Sequence, residues 1–210
     1  ALGLPVAGVA PAHGAIAALL DVARADATFD RRSPDALTAH DDRAVIAGLR
    51  ADRTFAAAPV LPGRIPETGA FARNPHAGQG GGALAARLSA RIADMAACRD
   101  ALSGAADDAF PALVGIDAAA TGSGEGYCAL ESPRGRLYHW ARVDDDGRIA
   151  DYAILAPTEW NFHAAGPFVA ALSGAAIGEG ALARSRVERL AALFDPCVAF
   201  SVSVSESRDA

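Results

Sequence analysis

The chain has 210 residues, 51% hydrophobic and 21% charged, with a formal net charge of −6. Such a chain is long enough for one or two modest domains and too apolar for intrinsic disorder. The acidic balance excludes the basic face that a nucleic-acid partner requires and provides no polybasic membrane anchor.

No apolar run approaches the roughly 20 residues of a membrane span, and the first residues lack the basic start of a signal peptide. Cys98, Cys128 and Cys197 are too scattered for a disulfide framework. A cytoplasmic location is expected, with neither nucleic acid nor membrane as partner. The chain is read as one domain over 1–210; it opens without an initiator Met, as an N-terminally truncated fragment would.

Residues 12–26 place Ile16, Leu19, Leu20 and Ala23 at helical spacing. Ser33-Pro34-Asp35 is a start signal for a second helix reaching about Leu49. The Pro- and Gly-rich stretch 57–82, ending in GQGGG, reads as a long loop, of the kind that is functional or mobile. A helix is predicted over 83–102, with Leu84, Leu88, Ile92, Met95 and Leu102 as its apolar stripe. Residues 115–126 read as a flexible link. GRLYHWARV and RIADYAIL flank Asp144-Asp145-Asp146-Gly147 and form a hairpin. A last helix spans 181–194, with Leu182, Val187, Leu190 and Leu193 inward. The expected class is α+β, mainly α, with one β-hairpin near the C-terminus.

Three C-terminal segments carry the chemistry: Glu131-Ser132-Pro133-Arg134-Gly135 before the hairpin, Ala156-Pro157-Thr158-Glu159-Trp160-Asn161 after it, and Asp195-Pro196-Cys197. The hairpin brings the first two together. One buried Arg, one hydroxyl and one thiol then converge. Arg supplies fixed N–H donors and a permanent charge, suited to a small anionic ligand. A thiolate beside it suits a soft metal.

ESPRGRLYHW, APTEWN and FDPC, in that order and spacing, resemble the C-terminal half of the large subunit of nickel–iron hydrogenases, whose patterns there are E-A-P-R-G, V-P-T-T-W-N and D-P-C-x-x-C-x-x-H. The likeness covers residues 122–204. It implies a helical fold like that subunit's. By the same resemblance Arg134, Pro157 and Thr158 hold the cyanides on the iron, and Cys197 is a metal ligand.

The departures are specific. The second Cys of the C-terminal motif is Phe200, and the following His falls near Ser203. Where the family has R-x-C-G-x-C, this chain has Ala7 and Ala10, with Gly8 and His13 retained. With three of four thiolates absent, a sulfur-rich nickel site cannot form, so nickel is not expected. This profile is similar to hydrogenase expression/formation proteins of the HupK and HoxV type, and PETGAFAR (66–73) is reminiscent of that group. The resemblance implies a non-catalytic maturation scaffold that transiently holds the Fe(CN)2CO unit, with other maturation proteins and the large-subunit precursor as partners. The rivals are a divergent nickel-dependent hydrogenase large subunit, as enzyme or sensor, and a cofactor-free interaction module for maturation chaperones.

Several residues also carry plainer readings. Cys98 is expected in the core, and Cys128 is either structural or a replacement sulfur. The plainer reading of Arg134 is a structural ion pair with Glu131 or Glu159. His13 is a helix-start residue or the remnant of a site. His139 is read as structural, His76 as a weak metal candidate and the Asp144–Asp146 run as a solvated turn. GQGGG lacks the strand and the Lys-Ser/Thr of a P-loop.

Overall fold

A computed structural model of the chain describes residues 13–104 and 114–205. Helix α1 (Ala15–Ala25) turns Ala17, Leu20 and Ala23 inward and leaves Leu19 exposed. The second helix begins later than its Pro signal suggests. Backbone around Ala36 forms a parallel bridge with Glu67, with Leu37 N donating to Glu67 O at 2.8 Å and Glu67 N to Asp35 O at 2.8 Å. That pairing holds 35–37 extended. The helix starts instead from a capping box, in which Thr38 N donates to Asp41 Oδ2 at 2.9 Å. A 3-10 turn (Ala39–Asp41) then runs into α2 (Asp42–Ala51).

The 57–82 stretch is structured. It holds a bridge between Leu61 and Arg64 and the short helix α3 (Ala70–Arg73). The Arg31 guanidinium donates to the carbonyls of Pro75, Ala77 and Gly78 at 2.5, 2.8 and 2.9 Å.

Helix α4 (Ala83–Leu102) matches the prediction in extent, and Leu84 and Ile92 of the predicted stripe are buried with Leu88 partly so, but the stripe fails at its C-terminal end. Met95 and Leu102 are exposed, and so is Cys98, which is not a core residue. The buried residues are mainly alanines, including Ala83, Ala86 and Ala90. Small side chains let α1 and α3 approach closely, so bulk does not mark the inner face.

Residues 115–126 are not a link. They contain β1 (Asp117–Gly122) and the start of β2 (Glu125–Ser132). With β3 (Gly135–Val143) and β4 (Ile149–Leu155) these make a four-stranded antiparallel meander in the order β1-β2-β3-β4. The fold is α+β, and its β part is a sheet of which β3 and β4 form one edge. β1 is Ala-rich and lies open to solvent. Its strand conformation comes from ladder pairing, Asp117 opposite Ala129 through Ala120 opposite Gly126, rather than from propensity.

Ala129, Tyr138, Trp140 and Leu155 from the sheet pack on Val45, Ile46 and Leu49 of α2. Three helices close the chain: α5 (Pro157–Asn161), α6 (Pro167–Leu172) and α7 (Gly180–Phe194). In α7, Val187 and Leu190 are buried, whereas Leu182, in the first turn, is 52% exposed and does not face inward. A second core joins Phe29, Leu84, Ala171, Leu190 and Phe194. No helix among the described residues is long and apolar enough to cross a membrane.

Candidate metal-unit site

The sheet fixes one side of the site. Alternation along β3 sends Arg136, Tyr138 and Trp140 inward. The buried arginine is therefore Arg136, with 2% of its side chain exposed, and not Arg134, which lies in the β2–β3 turn with 47% exposed. Arg136 Nε donates to Asp42 Oδ1 at 2.6 Å, and its Nη2 donates to Asp42 Oδ2. Tyr138 Oη donates to Asp42 Oδ1 at 2.9 Å. Burial alone would lower the Arg136 pKa, but hydrogen bonding and the charge of Asp42 outweigh it and raise it. Burial and the same carboxylate push the Tyr138 phenol far up.

Thr68, from the PETGAFAR segment, ties the first two motifs together. Its Oγ1 accepts from Arg136 N at 2.8 Å. Asn161, the last residue of α5, accepts from Thr68 N through Oδ1 and donates to Thr68 O through Nδ2, both at 3.0 Å. The contact is close enough to require glycine on both sides. Gly135 has φ +134°, and a Cβ there would lie 2.5 Å from Thr68 Oγ1. Gly69 has φ +112°, and its Cβ would lie 2.8 Å from Arg134 O.

The third motif arrives at the end of α7. Asp195 ends the helix in the left-handed region at φ 54°, a conformation that Asp tolerates better than most side chains. It turns the chain into Pro196-Cys197. Asp195 Oδ2 lies 3.7 Å from Arg134 Nε and 3.4 Å from Arg91 Nη2. Arg134 thus pairs with Asp195, and with neither Glu131 nor Glu159. Glu131 is taken by Arg73 and Arg136. Cys197 N donates to Thr158 Oγ1 at 3.1 Å. Thr158 follows Pro157, the buried first residue of α5.

The predicted residues are thus brought to one end of the molecule. Arg134 meets Asp195, and Thr158 meets Cys197 two residues on. Pro133, Arg134, Asn161 and Asp195 also line a cavity of about 20 Å³, room for roughly one water. The polar chemistry of this edge fits a small ligand that accepts hydrogen bonds beside a thiophilic metal. Thr158 Oγ1 receives a bond and keeps its own proton to donate, Arg134 retains N–H groups beyond its contact with Asp195, and the Cys197 thiol is exposed. Among the described residues no three His, Cys, Asp or Glu side chains cluster as a metal cage.

The remaining candidates lie elsewhere. Cys128 stands opposite His139 on the sheet face away from the core, four residues (about 13 Å) along β2 from Ser132. His139 Nδ1 shares a 2.5 Å hydrogen bond with Tyr152 Oη. His13 and His76 are exposed. Ala7, Gly8 and Ala10 lie outside the described residues. Phe200 is 45% exposed.

Sequence reasoning passed over Asp195, Thr68, Asn161, Glu67 and Arg87. The signals available were the Asp of FDPC, the last residue of APTEWN and the PETGAFAR segment. Arg87 Nη2 donates to Glu67 Oε2 at 2.8 Å, with both side chains buried. Burial raises the Glu67 pKa, and Arg87 offsets only part of that; burial also lowers the Arg87 pKa. The folded state therefore holds the Glu67 proton to higher pH than the unfolded chain does. Unfolding free energy should fall as pH rises from the ordinary Glu range through the raised value. Denaturant titrations across that window should show this slope in the wild type and a shallower one in Glu67→Gln.

The nickel-dependent hydrogenase family model matches residues 86–203. The HupK hydrogenase expression/formation protein of Rhizobium leguminosarum bv. viciae is 46% identical over 100% of this chain and 58% of its own length. That of Bradyrhizobium diazoefficiens is 42% identical over 83% of this chain and 49% of its own. The HoxV hydrogenase expression/formation protein of Cupriavidus necator is 33% identical over 79% and 45%. The chain spans about half the length of these curated relatives. A solved NAD+-reducing [NiFe]-hydrogenase aligns with a TM-score of 0.44 at 20% identity, over 62% of this chain and 34% of that one, too distant to carry a structural argument. With the family match running through all three C-terminal motifs, and relatives of one kind aligned over most of its length, the chain belongs to the nickel-dependent hydrogenase family, as a HupK/HoxV-type degenerate homologue of the large subunit.

Proposed function

We propose that the chain works in hydrogenase maturation as a non-catalytic scaffold that transiently holds the Fe(CN)2CO unit. The supporting observation is the hydrogen bond from Cys197 N to Thr158 Oγ1 at 3.1 Å, with Arg134 at the same edge through Asp195. When bound, the unit would supply iron already carrying its cyanide and carbonyl ligands. Arg134 and Thr158 would donate hydrogen bonds to the cyanides, Pro157 sets the start of α5, and the Cys197 thiolate would give the iron one sulfur. The one-water cavity is too small for the unit, so the proposed site is the open edge beside it.

One protein thiolate holds a metal less tightly than four, which suits a carrier that must release. Nickel finds no such set here: Phe200 stands at the bridging position, with Ala7 and Ala10 at the others. The partners under this reading are other maturation proteins and the large-subunit precursor, met in the cytoplasm.

Anaerobic co-expression with the maturation machinery tests the reading. The purified protein is expected to carry iron and to show cyanide and carbonyl stretching bands in the infrared. Cys197→Ala is expected to lose the iron while keeping a native circular dichroism spectrum. Unchanged iron in a folded Cys197→Ala variant would remove the proposed ligand. Absence of the bands, together with full hydrogenase maturation in a deletion strain, would defeat the scaffold role.

A further inference from the structure

One guanidinium clamps the turn that carries Arg134. Arg73 is the last residue of α3, and its side chain is 23% exposed. Its Nη1 donates to Glu131 Oε2 at 2.8 Å and to Ser132 O at 3.3 Å. Its Nη2 donates to Asp94 Oδ2 and to Pro133 O at 3.2 Å. Asp94 lies on helix α4 and also accepts from Asn74 Nδ2 at 2.7 Å, so the far side of the clamp is anchored. The two Nη groups carry four N–H donors, and four acceptors meet them. A lysine has three donors on one point charge and cannot serve all four.

The two carbonyls decide what the clamp does. Ser132 pairs with Gly135 at the end of the β2–β3 ladder, so Pro133 and Arg134 form the turn itself. Pro133 O belongs to the peptide unit that contains Arg134 N. That unit is planar, so holding its oxygen fixes its orientation and the direction in which the Arg134 side chain leaves the turn. The side chain has no firmer guide of its own. Among the described residues it makes no hydrogen bond, and its contact with Asp195 Oδ2, at 3.7 Å and 47% exposed, is longer than one.

We propose that Arg73 is the positioning residue for Arg134: by holding the Pro133–Arg134 turn it aims the Arg134 guanidinium along the open edge that Thr158 and Cys197 share. The inference rests on the iron-unit reading only for what Arg134 is aimed at. That Arg73 does the aiming is a property of the chain by itself.

The test has two arms. The first needs no metal and uses the 1H–15N correlation spectrum of the labelled chain, in which the Nε–H resonance missing from Arg134→Lys marks Arg134. That resonance should move in both Arg73→Gln and Arg73→Lys. It should stay in place in Ile46→Ala, which weakens the core between α2 and the sheet without touching the turn. The second arm uses the chain co-expressed anaerobically with the maturation machinery. Arg73→Lys keeps the charge facing Asp94 and Glu131 and is expected to fold and to retain iron through Cys197. Its cyanide stretching bands should be displaced in the same sense as those of Arg134→Lys. An Arg134 resonance unmoved in Arg73→Lys would overturn the proposal, because an ion pair would then do the work of the fork. Cyanide bands at their wild-type positions in a folded, iron-bearing Arg73→Lys would overturn it too. Absence of the bands from the wild type would instead defeat the iron-unit reading, and the first arm would still decide the role of Arg73.

Discussion

Asp42→Ala is expected to cost about 3–5 kcal/mol of folding stability, because it strands a buried guanidinium. Asp42 is 3% exposed, and it accepts from Arg136 Nε, Arg136 Nη2 and Tyr138 Oη. Removing it leaves Arg136 with only Gly115 O at 3.0 Å and Glu131 Oε1 at 3.4 Å as acceptors for its side chain. Against a typical total stability of about 5–15 kcal/mol, that loss brings the chain close to unfolding. Asp42→Asn keeps two polar atoms in place and should lose less. Trp140 and Trp160, the two tryptophans of the chain, are both buried, so fluorescence in urea reports the transition. A loss below about 1 kcal/mol in Asp42→Ala would mean that water reaches Arg136, contrary to its burial.

The second large effect concerns Asn161. Its amide closes two hydrogen bonds on the Thr68 backbone across 93 residues of sequence. Asn161→Ala leaves a buried N–H and a buried C=O without partners, at about 1–3 kcal/mol for each unmet group. The expected loss is therefore about 2–5 kcal/mol. Asn161→Asp offers an acceptor to Thr68 N but cannot donate to Thr68 O, so it should not rescue fully. Because this clamp joins α5 to the PETGAFAR segment, the Ala variant should also release the Thr158 side of the edge. Under the proposed iron-holding role, iron retention should then fall further than global stability explains. Equal stability of Asn161→Ala and wild type in urea would show that the clamp is replaceable by water.

Much of the fold was legible where local chemistry and period agree. The DDDG hairpin turn is closed by Asp144 N to Arg148 O and Gly147 N to Asp144 O, as its residues suggest. The α4 limits follow from a long run of helix formers after glycine. The α4 inner face was legible at Leu84 and Ile92 but not toward its C-terminal end, where alanines gave no contrast against Met95 and Leu102 and the partners decided which side is covered. β1 was illegible for a related reason: Ala and Gly carry no strand signal until β2 pairs with them. The delayed start of α2 was set by a bridge to Glu67, 31 residues beyond Ala36.

The site divides in the same way. The identities of Arg134, Pro157, Thr158 and Cys197, and the loss of sulfur at Phe200, are matters of residue type and spacing, which the linear order carries in full. Which arginine is buried is not such a matter. Arg134 and Arg136 are alike as residues, and only the pleat of β3 sends one to Asp42 and leaves the other at the turn facing Asp195. The Thr68–Asn161 clamp and the Glu67–Arg87 pair arise from contacts between segments far apart in the chain. Such contacts exist only once the backbone has brought their partners within hydrogen-bond reach, so no local pattern could encode them.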